Sequence, residues 1–99
     1  MDKSGRVLYP DNPAKQAEFI YQSLEKILNQ AGASLDDVVK TTVFVTDIND
    51  FAEISKIRNK YFKDAEPVST LLEVKRLVKD GCRVEIETMA VLSKSKNKI

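Results

Sequence analysis

Ninety-nine residues carry sixteen Lys/Arg against fifteen Asp/Glu and no histidine, a net charge of +1, which supplies no global field for nucleic acid or a membrane surface. A chain of this length makes one domain and buries only about 60 to 65% of its unfolded surface, so association with further copies is expected. One cysteine, Cys82, excludes an internal disulfide and, with no long apolar run and no charged start leading into an apolar segment, makes a soluble, cytoplasmic protein the default expectation.

The chain opens on MDKSGRVLYPDNP, a turn-rich segment in which only Val7 to Tyr9 could extend. Asn12 followed by Pro13 is a helix start, an N-cap acceptor before a residue whose missing N–H costs nothing at the first helical position. Ala17, Ile20, Tyr21, Leu24, Ile27, Leu28 and Ala31 then recur at three- and four-residue spacing, and Gly32 ends the run. Ser34 to Asp37 is a capping-box pattern that predicts a single turn. Val38 to Asp47, VVKTTVFVTD, alternates with period two and is the centre of the fold. Apolar residues on both of its faces call for cover on both sides: helices on one, a further sheet or a partner subunit on the other.

Asp50 with Glu53 predicts a second helix start, and Phe51, Ile54, Ile57 and Tyr61 give its apolar stripe, ended by Pro67. Ser69 to Val74 reads as a strand, and Cys82 to Leu92 as a longer one. The tail SKSKNKI, residues 93–99, is expected to be a disordered basic extension of a single domain over 1–92. Helix, strand, helix, strand, strand predicts a two-layer α+β sandwich with both helices on one face of a mixed sheet. Asp80-Gly81 suggests a tight hairpin between the last two strands, although Leu77 to Lys79 leave room for a wider connection.

Without histidine, the commonest general base, zinc ligand and triad partner are absent, and no metal site is expected. Gly5, Gly32 and Gly81 stand too far apart to form a phosphate loop. Cys82 on an apolar face is read as a small core residue, because nothing near it in sequence stabilises a thiolate. A pair of carboxylates remains. Glu85 and Glu87 share one face of the last strand, roughly 6.5 to 7 Å apart by strand rise. That face is either the solvated outside of an antiparallel strand or the wall of a cleft at a subunit boundary, and Met89 and Val91, which continue it, favour partial burial.

AGASLDDVVK at 31–40, KTTVFVTDINDF at 40–51 and VEIETMAV at 84–91 together resemble the Rid family of reactive-intermediate deaminases. This is the YjgF type, also labelled translation inhibitors or endoribonucleases. The resemblance implies a chorismate-mutase-like fold, a homotrimer whose sheets form a central barrel, and ligand clefts between subunits. It also implies that VEIETMAV pairs antiparallel with the central strand, against the Asp-Gly cue. Active members hydrolyse enamines and imines to keto acids and ammonia without a cofactor. In them an arginine in a Pro-Ala-Arg-Ser motif holds the substrate carboxylate, and a glutamate on the last strand positions water.

Here the motif reads Glu66-Pro67-Val68-Ser69-Thr70, with Val68 at the arginine's position. Valine offers a carboxylate nothing in place of charge-assisted bonds worth about 1.5 to 3 kcal/mol each. The glutamate carries over as Glu85; Ser55 stands where some members have asparagine, and Thr70 where some have cysteine. The family also has a further N-terminal stretch with an edge hairpin and a cleft tyrosine, so VEIETMAV lacks its outer neighbour. Cover could come from an upstream start, from Val7 to Tyr9, or from another chain. The expected function is therefore binding of a small keto or imino acid between subunits, with weak or absent deaminase activity. The alternative is an RNA-directed role, for which stand Lys75, Arg76, Lys79 and the tail lysines Lys94, Lys96 and Lys98. Near-zero net charge and the lack of a base-stacking aromatic series stand against it.

Overall fold

The computed structural model describes residues 7–62 and 67–91. The start of the chain before Val7, Glu66 of the motif, and the basic tail fall outside these residues. Helix α1 (Pro13–Gln30) begins as expected: Asn12 Oδ1 accepts from the Lys15 N–H at 3.0 Å, with Pro13 in the first turn. It ends where Gly32 takes φ +79° and the Ala33 N–H returns to the Leu28 carbonyl at 2.8 Å, the left-handed stop that glycine permits. The Ser34 to Asp37 capping box is formed in both directions and closes one 3₁₀ turn (Leu35–Asp37).

Strand β1 (Val38–Val45) leads through a second 3₁₀ turn (Ile48–Asp50) into α2 (Phe51–Tyr61), followed by β2 (Val68–Glu73) and β3 (Val84–Ala90). The order is β2-β1-β3, with β2 parallel to β1 across the α2 crossover and β3 antiparallel to it. The last strand therefore pairs with the central one, as the resemblance implies, and the Asp80-Gly81 turn joins strands that are not neighbours. Gly81, at φ +84°, packs where a Cβ would stand 3.3 Å from Pro10 Cβ.

The chorismate-mutase-like sandwich closed into a trimeric barrel is not what the chain forms. The sheet is open, mixed and three-stranded, with two helices packed on it. Among the described residues both outer strands are unpaired on their far sides, so the sheet does not close. Strand β2 has the expected length but begins one residue earlier, at Val68, and β3 is shorter than the expected Cys82 to Leu92. Cys82 lies before β3 rather than on it, its Sγ 3.7 Å from the Val84 carbonyl. No strand among the described residues pairs with the outer edge of β3, and Val7 to Tyr9 form no strand.

The core gathers Ala17 and Tyr21 of α1, Leu35, Val38, Val43 and Val45, Ile54 and Phe62, and Val84. A bulge between Val38 and Lys40 turns Val38 inward and leaves Val39 exposed, so the expected alternation holds only from Thr41 onward. Asp50 makes no capping bond to α2. Asp47 accepts from the Asn49 N–H instead, and the Asp50 carboxylate receives Arg83 Nη2 at 2.9 and 3.1 Å.

Gln16 fastens the start of β3 to α1. Its buried amide donates to the carbonyls of Tyr9 (2.9 Å) and Gly81 (2.7 Å), and its Oε1 accepts from the Arg83 N–H at 2.7 Å. Leucine fills similar space but leaves the Arg83 N–H without its acceptor, while the Tyr9 and Gly81 carbonyls keep the Asn12 and Asp11 N–H groups. Gln16→Leu is expected to cost about 1 to 3 kcal/mol, read as a lower urea midpoint; an unchanged midpoint would show that the Arg83 N–H finds another partner.

Candidate functional site

The two sheet faces differ in kind. Toward the helices point Thr41, Val43 and Val45 of β1, flanked by Ser69, Leu71 and Glu73 on β2 and by Thr88, Ile86 and Val84 on β3. Among the described residues no helix covers the opposite face, which consists of three rungs. Val68, Lys40 and Met89 form the first; Thr70, Thr42 and Glu87 the second; Leu72, Phe44 and Glu85 the third. Directly paired residues point to one side of a sheet, so these nine side chains share a surface. It mixes charge with apolar area: Val68 is 68% exposed, Met89 57% and Leu72 45%.

Of the residues the sequence singled out, Val68, Thr70 and Glu85 share this open face. Ser69 does not, for its hydroxyl accepts from Thr41 Oγ1 at 3.1 Å on the helix side. Ser55 lies on α2, in the helical layer. Glu87 accompanies Glu85 as expected, but Met89 and Val91 are exposed rather than partly buried. Within one chain Val68 and Glu85 occupy opposite corners: two strand spacings across and four residues along separate them by on the order of 15 Å.

Lys40 and Thr42 were not singled out by the sequence. With Glu87, Thr88 and Met89 they line a shallow concavity of about 360 Å³ on the open face. The signal available was the even-numbered face of the central strand, which carries Lys40 directly beside Val68. A second hollow, of about 20 Å³, lies at the β3 edge between Val7, Leu8, Gln16, Phe19, Ile20, Cys82 and Val84, room for one water at most. No group of three or more metal-ligating side chains occurs among the described residues, and no described helix is long and apolar enough to cross a membrane.

Perturbed titrations lie elsewhere, along the α1/α2 seam. Burial pushes the Tyr21 phenol up to about 12, opposed by the Arg58 guanidinium. Tyr61 is raised by burial and by Glu18. The Lys60 ammonium is held above its ordinary value by a 2.7 Å bond to Glu18.

Residues 1–92 match the family model described as endoribonuclease L-PSP. The chain belongs to the Rid family. Among Rid proteins and their relatives it is 41% identical over 91 residues to the 2-iminobutanoate/2-iminopropanoate deaminase of Rattus norvegicus, covering 92% of this chain and 66% of that one. It is also 41% identical over 76 residues to a RutC family protein of Pyrococcus abyssi, covering 77% and 59%. The chain thus spans about two thirds or less of the length of these two relatives.

Solved Rid-type structures superpose closely. A conserved Rid family protein from Yersinia pestis gives a TM-score of 0.82 at 34% identity, covering 90% of this chain and 70% of the other. A YjgF-family protein from Mycobacterium tuberculosis gives 0.79 at 38%, covering 83% and 70%. The relationship fixes the family and the open mixed sheet with its two helices.

Proposed function

We propose that this Rid protein forms a homotrimer, takes a small keto or imino acid in clefts between copies, and has weak or absent imine deaminase activity. The observation that carries the reading is the separation of Val68 from Glu85. A ligand a few atoms long cannot reach both corners of one open face, so a cleft using both positions needs a second copy. The exposed apolar side chains of that face, Val68, Leu72 and Met89, give the second copy something to bury.

In such a cleft Glu85 orients a water toward the imine carbon. Addition of that water and loss of ammonia give the keto acid, and no redox or electron-sink group is needed. The step also requires the substrate carboxylate to be held still, which arginine does bidentately and Val68 does not. Relatives named 2-iminobutanoate/2-iminopropanoate deaminases support the substrate class. The endoribonuclease wording of the family model belongs to the family at large. In this chain the described cations outside the open face that bear on it, Lys75, Arg76 and Lys79, sit on an exposed loop without stacking aromatics.

The test follows release of 2-oxobutanoate from freshly generated 2-iminobutanoate. The chain is expected to run at least about tenfold slower than an arginine-bearing relative, one lost charge-assisted bond being worth that factor. Equal rates would overturn the reading.

A further inference from the structure

Lys40 is the single cation among the nine side chains of the open face, and it stands on the first rung between Val68 of β2 and Met89 of β3. Both of these cross-strand neighbours are apolar, so neither offers the ammonium an acceptor. Lys40 is exposed, and among the described residues it makes no ion pair within 4.0 Å, with Glu87 or any other carboxylate. The other cations beside acidic groups are used: Arg83 lies near three carboxylates, and Lys60 is bonded to Glu18. A second copy laid over this face takes the Lys40 ammonium out of water. Withdrawing an unpaired charge in that way is costly unless an anion meets it.

We infer that Lys40 is a substrate-binding residue, its ammonium meeting the carboxylate of the keto or imino acid in the cleft between copies. The inference rests on the cleft proposed above and deepens it by assigning the ligand's anionic end. Lys40 stands in register with Val68 itself, so the charge that valine cannot supply comes from the next strand. An ammonium is a point charge on a flexible stem and lacks the planar fork of a guanidinium. It therefore selects for a carboxylate but holds it loosely, the combination that leaves binding in place while turnover is slow. The site is thus specific for acids over neutral ketones.

Chemical-shift titration of the assembled chain with 2-oxobutanoate, and with its methyl ester as the uncharged counterpart, tests this. The acid is expected to bind at least about fivefold more tightly than the ester, the worth of one partly exposed charged bond. Lys40→Met, at an exposed position, should bring the acid to the ester's affinity and leave the ester unchanged, while Lys40→Arg should keep the preference. Val68→Arg added to Lys40→Met should restore it, because a guanidinium on the neighbouring strand returns a positive charge to the same end of the face. A merely structural role for Lys40 would weaken acid and ester alike and would not be rescued from position 68. That result, no preference for the acid in the parent, or a preference that survives Lys40→Met would each overturn the inference. Assay of 2-oxobutanoate release separates it from the reading it rests on. Rates equal to those of an arginine-bearing relative would overturn the slow-deaminase reading with the Lys40-dependent preference intact, and a preference independent of Lys40 would leave the rate difference standing.

Discussion

Val68→Arg is expected to raise 2-oxobutanoate release from 2-iminobutanoate by at least about tenfold, with most of the gain in kcat/KM. Position 68 is 68% exposed on the open face and directly beside Lys40, so a guanidinium fits without disturbing the core. Its fork geometry offers two parallel bonds to a carboxylate, each charge-assisted, and even one of them accounts for a tenfold change. Part of the gain is offset by repulsion between the new guanidinium and the Lys40 ammonium, which weakens as a carboxylate binds between them. An inert Val68→Arg variant that remains folded would show that the cleft lacks more than its arginine. The chain spans 66% of the length of the rat deaminase, and the matching residues alone would then be insufficient for catalysis.

The largest effect on stability is expected at Tyr21. Its ring is 0% exposed, stacks on Tyr61 with centroids 5.5 Å apart, and meets Phe62 edge-on at 5.7 Å. Tyr21→Ala should cost about 3 to 5 kcal/mol, a large share of the about 5 to 15 kcal/mol that holds a domain together. The melting temperature should fall by about 12 °C or more.

The hydroxyl behaves differently, for it is buried with no hydrogen-bond partner among the described residues. Tyr21→Phe is therefore expected to match or exceed the parent at pH 7. Above pH 10 an unfolded phenol gives up its proton while the buried one, with its pKa near 12, keeps it. The parent should lose up to about 2 to 3 kcal/mol between pH 10 and 12 from this group, a loss absent from Tyr21→Phe. Destabilisation of Tyr21→Phe by 2 kcal/mol or more at pH 7 would mean that the hydroxyl has a partner.

Signals in the sequence are legible where the physics is local. Asn12-Pro13, Gly32 and the Ser34/Asp37 box each act within a few residues, and each does in the structure what its chemistry dictates. Alternation placed Glu85 and Glu87 on one face of the last strand for the same reason.

Long-range features were less legible. The capping pattern at Asp50 failed because Arg83, thirty-three residues away, takes the carboxylate. Gln16 reads as an ordinary polar residue of α1, and only the fold brings it to Gly81 and Arg83. The bulge at Val38 shifted one end of β1 by a residue and exposed Val39. Pairing of β3 with β1 came from the family resemblance, since the Asp-Gly turn pointed elsewhere; the same resemblance also suggested a closed barrel, whereas the sheet of the described residues is open. Ser69 was grouped with Val68 and Thr70 by adjacency, yet period two sends it to the opposite face, toward Thr41.

Sedimentation equilibrium tests most directly whether the uncovered face works by meeting its like. The account predicts a mass of three chains at micromolar concentration, reduced to one by Leu72→Glu, which sets a carboxylate among the exposed apolar side chains and beside Phe44. A parent chain of 11.2 kDa sedimenting as a single copy across that range would contradict it.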